Sequence, residues 1–202
     1  KSFNDLGLSV DNISITKVSS TDFSKYRLIY VGDERFTNPN LIPITNNPTI
    51  IANYYHGDTF GAMSVSSRTA FTVPFTDHLF ETYFIAPPAP GNEQKSLAQL
   101  QAITAKHSDI AGFIFEPIIQ GVAGMKIHSA KGLDALVKHC AENKILTIAD
   151  EVMTGFGRTG NFFACDALEN KSDITCLSKG LTGGTMALGI TSCTAEIYNA
   201  FY

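Results

Sequence analysis

The stretch "SAKGLDALVKHCAENKILTIADEVMTGFGRTG", residues 129–160, decides the fold. Leu133, Leu136, Val137 and Cys140 fall at i, i+3, i+4 and i+7, the stripe of a helix with one buried face. At Ile145 the pattern changes. "ILTIAD" (145–150) is a short apolar run of the kind a buried strand makes. That strand ends on two adjacent carboxylates, Asp150 and Glu151, and runs into a loop rich in Gly and Thr that holds one arginine, Arg158. A carboxylate buried at a strand end needs a partner, because an unpaired buried charge is costly. Arg158 could serve either acid, and so could a protonated ring nitrogen of a cofactor.

The same alternation extends in both directions. Upstream, Leu97, Leu100 and Ile103 recur at helical spacing in a segment ending near His107. "IAGFIFEP" (110–117) then reads as a buried strand that stops at a proline. Downstream, "DITCLS" (173–178) and "TMALGITSC" (185–193) are further strands. Apolar strands alternating with helices predict an α/β fold, a three-layer arrangement with a mainly parallel sheet and helices on both faces. Ligands of such sheets gather at the carboxyl ends of the strands. Polar residues stand at three of those ends: Glu116, Asp150–Glu151 and Ser178–Lys179.

Lys179 lies between a strand and the glycine-rich "GLTGGT". A lysine there is expected to be partly desolvated, which favours a neutral amine able to bond an aldehyde. The glycines leave backbone room for a bulky cofactor. "NYYHGDTFG" (53–61) supplies Tyr55 and His56 after an apolar run, and a flat aromatic there could stack on a ring.

Composition narrows the class. Of 202 residues, 44% are hydrophobic and 17% charged, values typical of a folded globular chain. The net charge of −4 offers no basic surface for nucleic acid. No apolar run is long enough to span a bilayer, and no charged-then-apolar leader follows Lys1. Cys140, Cys165, Cys176 and Cys193 fit no zinc spacing, and the five histidines show no metal-ligand pairing. The expectation is no metal, a cytoplasmic setting and four reduced, mostly buried cysteines. "YRLIYVGDERF" (26–36) and "NPTIIANYY" (47–55) read as strands, with a proline-rich loop between them. "VGDER" and "GLTGGT" complete no dinucleotide or phosphate-loop fingerprint. A ligand-binding module without chemistry therefore has little support.

Taken together, "YHGDTFGAMSV" (55–65), "FIFEPIIQGVAGM" (113–125), "TIADEVMTGFGRTGNFFACD" (147–166) and "CLSKGLTGGTMAL" (176–188) resemble the class III (ornithine-type) aminotransferases. These are fold-type I enzymes that use pyridoxal 5'-phosphate. The branch serving biotin synthesis, with S-adenosylmethionine as amino donor and 8-amino-7-oxononanoate as acceptor, looks nearest.

The resemblance implies roles. Lys179 would bond the cofactor aldehyde and shuttle the proton, and Asp150 would hold the pyridine N–H. Tyr55 would stack on the ring, with His56 beside it. Glu116 would support the site and could pair with Arg158 when no substrate carboxylate is present. Arg158 would otherwise serve substrate, Asp58 would lie near the substrate amine, and Glu151 would play a local structural part. It also implies a homodimer acting on a small amino donor and keto acceptor. Residues 55–202 would form part of the cofactor-binding large domain. Residues 1–54 do not resemble the family. Its upstream phosphate-cradling Gly-Ser segment and its C-terminal domain have no counterpart in this sequence.

Overall fold

The structure is a computed structural model that describes residues 49–52, 55–70 and 72–200. In chain order its elements are β1 (Thr49–Ala52), α1 (Phe60–Ser64), β2 (Thr82–Phe84), α2 (Glu93–Thr104), β3 (Ile110–Phe115), β4 (Ile119–Gln120), β5 (Lys126–Ile127), α3 (Ala130–Glu142), β6 (Leu146–Asp150), β7 (Ile174–Leu177), β8 (Ile190–Cys193) and α4 (Ala195–Asn199). Segment 26–36 and its "VGDER" lie outside the described residues. Two compact units divide the chain: the sheet belongs to Asn47–Thr194, and α4 falls in the other unit.

Six strands form the main sheet in the order β2-β1-β3-β6-β7-β8, and β4 and β5 form a separate antiparallel pair. Within the large sheet, β2, β1, β3, β6 and β7 run parallel. Of the strands described in this sheet, only β8, pairing with β7, runs antiparallel. This is the mainly parallel α/β sheet that the alternation predicts. The crossovers through α2 and α3 step across the sheet in one direction, and the connection through α1 steps back. Right-handed crossovers therefore put α2 and α3 on one face and α1 on the other.

Helix α3 begins where Ser129 caps it, its Oγ accepting from the Gly132 N–H at 3.2 Å. It ends at Asn143, and Lys144, with φ of +58°, turns the chain into Ile145 and β6. Leu133, Leu136, Val137 and Cys140, the four stripe residues, are all buried. They join Ile51, Leu100, Phe113, Phe115 and Ala149 in one core between helices and sheet. Phe113 and Phe115 alternate with less buried residues on β3, and their rings stack at 5.3 Å.

Side chains also latch β6 to β7 at their amino ends. Asp173 Oδ2 accepts from the Thr147 N–H at 2.8 Å and from its hydroxyl at 2.7 Å, while Thr147 Oγ1 accepts from the Asp173 N–H at 3.0 Å.

The strand expected over 185–193 is shorter than its apolar pattern suggests. Only Ile190–Cys193 pairs as β8. Gly183 and Gly184 take φ of +60° and +86°, and the Thr185 N–H bonds back to the Thr182 carbonyl, so 182–185 is a turn. The cysteines are all free, but their burial differs from expectation. Cys140 is buried, Cys165 and Cys176 are half-buried, and Cys193 is exposed because all of β8 is.

Candidate active site

The carboxyl ends of β1, β3, β6 and β7 share one rim because these strands are parallel. Asp150 closes β6 opposite Cys176 of β7, and Lys179 stands three residues beyond Cys176. The loop after β1 brings His56 across. Its Nδ1 lies 2.7 Å from Asp150 Oδ2, and the His56 side chain is almost wholly enclosed. The His56 N–H donates to Ser66 Oγ at 2.9 Å, which ties this loop to the turn after α1. Arg68 fixes that turn, its guanidinium donating to the carbonyls of Met63, Ser64 and Ser66 at 2.9 to 3.0 Å. The other Asp150 oxygen, Oδ1, accepts from the Val152 N–H at 3.1 Å. No signal in the chain foretold the His56–Asp150 pair, since 94 residues separate the partners.

Glu116, after β3, is buried and accepts from the Gly121 N–H at 2.9 Å through Oε2. Burial raises its carboxyl above the usual range. The Gly121 N–H, His56 and Lys179 work against that shift, and Asp150 adds to it. Two enclosed atoms here have no hydrogen-bond partner: His56 Nε2 and Glu116 Oε1. Buried polar atoms are ordinarily paired, so a pair of unsatisfied ones at a strand-end rim is what a polar ligand would complete.

Glu116 and Arg158 do not pair, contrary to the expectation. Arg158 Nε donates to the Met153 carbonyl at 2.7 Å, while Glu116 is taken up by Gly121. The two loops still meet. A Cβ on Gly121 would lie 2.4 Å from Met153 Sδ and 3.4 Å from Glu116 Oε2. Glycine leaves room for the Met153 and Glu116 side chains against its backbone, and peptide groups take the places the ion pair would have filled.

Glu151 is fully buried. Its carboxylate accepts from Thr154 Oγ1 at 2.5 Å, Ala164 N at 3.1 Å and Cys165 N at 2.8 Å. It fastens both ends of the 152–163 loop that carries Arg158.

Lys179 is exposed rather than partly desolvated. The glycines around it bring no side chains to cover it. It lines a pocket of about 480 Å³ with Arg158, Ser178, Thr182 and Leu188. Tyr55 and Asp58 face a different, larger groove of about 920 Å³, with Phe60, Met63, Phe75 and Val122. The Tyr55 hydroxyl donates to Asp58 Oδ1 at 2.8 Å, and that bond raises the phenol's pKa. The structure thus brings His56, Asp150 and Glu116 together, with Lys179 near enough for its charge to act on Glu116.

A parallel sheet with an acid and a lysine at adjacent strand ends is the frame of a fold-type I pyridoxal phosphate enzyme's large domain. Residues 44–202 match the family model described as aminotransferase class-III, and the chain belongs to that family. The adenosylmethionine-8-amino-7-oxononanoate aminotransferase of Synechococcus elongatus is 45% identical over 73% of this chain and 36% of its own length. The enzyme of the same name from Staphylococcus aureus is 40% identical over 77% of this chain and 37% of its own. The crystal structure of the Methanocaldococcus jannaschii enzyme superposes with a TM-score of 0.69 at 42% identity, covering 76% of this chain and 36% of that one. The chain therefore spans little more than a third of the relatives it matches. Among the described residues, no helix is long and apolar enough to cross a membrane, and no cluster of His, Cys, Asp or Glu could hold a metal.

Proposed function

We propose that the protein works in pyridoxal phosphate-dependent transamination, converting 8-amino-7-oxononanoate to 7,8-diaminononanoate with S-adenosylmethionine as amino donor, a step of biotin synthesis. One observation carries the cofactor reading. Asp150 is a largely buried carboxylate already paired with His56, on a strand whose parallel neighbour leads straight to Lys179. The names of the relatives at 40–45% identity support the choice of substrates.

The donor set fits the cofactor: a carboxylate for a ring N–H, a primary amine for an aldehyde, and unsatisfied polar atoms beside the carboxylate. Pyridoxal phosphate, when bound, supplies the aldehyde and an electron-accepting ring. Asp150 would hold the N–H of the cofactor's ring nitrogen. His56 holds the Asp150 oxygen in place through Nδ1 and steadies its charge. By the family resemblance Tyr55, which faces the neighbouring groove here, would cover a ring face. Lys179 would hold the aldehyde through Nζ and would move the proton at the substrate carbon. Arg158, whose terminal nitrogens lie beyond its bond to Met153, receives a substrate carboxylate, as a guanidinium does well. Asp58, bonded to Tyr55 in that groove, would meet the substrate amine by the same resemblance. The family further implies a homodimer in the cytoplasm.

Absorbance spectroscopy tests the reading. Addition of pyridoxal phosphate should give the visible band of a lysine-bound pyridoxal, absent in Lys179→Ala. S-adenosylmethionine should then bleach it. Bleaching by an ω-amino acid alone would assign the protein to another class III ω-aminotransferase. A folded sample with no band would leave a ligand-binding fragment without chemistry.

A further inference from the structure

Gly180, the residue after Lys179, has no space for a side chain. A Cβ there would stand 2.8 Å from Cδ2, 3.0 Å from Cβ and 3.2 Å from Cγ of Phe156. The Phe156 side chain therefore lies directly against the Gly180 backbone. Phe156 has φ of +64° and Lys179 φ of +40°, both in the left-handed region that side-chain-bearing residues avoid. Two such residues on facing turns persist only where their surroundings over-determine them, and such strain gathers at functional sites.

The surroundings are specific. Phe156 meets Phe162 edge to face at 5.6 Å and 77°, and Phe163 at 6.0 Å and 66°. Phe163 is followed by Ala164 and Cys165, whose N–H groups donate to the Glu151 carboxylate. Glu151 adjoins Asp150. A continuous packed path thus joins the end of β6 to the turn after β7: Glu151, the 164–165 backbone, Phe163, Phe156, Gly180. Its ends adjoin Asp150 and Lys179, the two residues proposed to hold the cofactor.

We propose that Phe156 is a positioning residue for Lys179. Its ring fills the space over Gly180, holds the Lys179–Leu181 turn, and so fixes where the lysine amine stands relative to Asp150. The proposal rests on the transaminase reading for its purpose, but the clamp itself can be measured without cofactor.

The test is a double-mutant cycle on Phe156→Ala and Gly180→Ala, with Phe156→Tyr as the ring-retaining control. In cofactor-free protein, amide hydrogen exchange is followed at Leu181, Thr182 and Gly183, whose N–H groups donate to the Ser178 and Lys179 carbonyls. Exchange should quicken about tenfold in Phe156→Ala and return near wild type in Phe156→Tyr. With pyridoxal phosphate added, Phe156→Ala should weaken binding about tenfold and move the pH midpoint of the visible band, which loose packing elsewhere would leave alone. Gly180→Ala should do the same in the wild-type background. It should add less than twofold in Phe156→Ala, where the new methyl has room. Should Phe156→Ala fail to fold, Phe156→Leu takes its place in the cycle. Equal effects of Gly180→Ala in both backgrounds, or a Phe156→Ala protein within twofold of wild type in exchange and band midpoint, overturn the proposal. Absence of any band in wild type defeats the transaminase reading instead, and the exchange cycle still decides the clamp.

Discussion

Lowering the pH should destabilise the fold through one histidine. His128, between β5 and α3, is 4% exposed, and neither ring nitrogen has a hydrogen-bond partner. Burial favours the neutral ring and lowers its pKa from 6.5 to about 4. Between those values the unfolded chain takes up a proton that the folded one refuses, so unfolding gains as pH falls. Stability from this source is complete above the ordinary value and declines as acid is added. At pH 5 the unfolded histidine is almost fully charged and the folded one is not, which amounts to about 2 kcal/mol, rising to about 3 kcal/mol nearer pH 4. Denaturant titrations at pH 7.5 and pH 5, on wild type and His128→Leu, isolate the effect from other groups. The variant should lose about 2 kcal/mol less than wild type between the two pH values. At neutral pH it should be close to wild type, because an apolar group replaces one with no partners to orphan. An equal acid loss in both proteins would refute the reasoning.

Other outcomes follow from the same geometry. Glu151→Ala removes the acceptor of three donors in a dry site and should cost about 3 kcal/mol or more by denaturant titration. Glu151→Gln, retaining one carbonyl oxygen, should cost less. Thiol labelling read by mass spectrometry should modify exposed Cys193 first. Cys140 and Cys165, whose thiols burial pushes up to about 12, should resist until the protein unfolds. Labelling of Cys140 at the rate of Cys193 would contradict the packing of α3.

The parts of the fold legible in the sequence are those where the chain itself carries a period. The α3 stripe and the β3 and β6 runs are largely buried and β7 is half-buried, so their pattern survives in one dimension. The start of the 185–193 segment is not legible, because "TMAL" is as apolar as a strand yet follows two glycines that turn the backbone. The rim residues were legible as strand ends, but their pairings were not. His56 meets Asp150 across 94 residues, and no spacing rule reaches that far. Glu116 and Arg158 looked complementary by charge. Peptide groups nearer to each took their places, and a backbone partner leaves no mark on residue identity. The exposure of Lys179 was hidden for a similar reason, since glycines do not announce which side chains fail to shield a neighbour.

The Thr147–Asp173 latch sits at the opposite end of β6 and β7 from the rim. Strand alignment there is secured without help from the loops that bear Arg158 and the glycine turn. Residues of those loops outside the Phe156–Gly180 contact can accept replacement during evolution or laboratory selection while Asp150 and the Lys179 turn keep their relative heights. On the proposed transaminase function, libraries aimed at new amine donors are best confined to those residues, leaving the threonine and aspartate untouched.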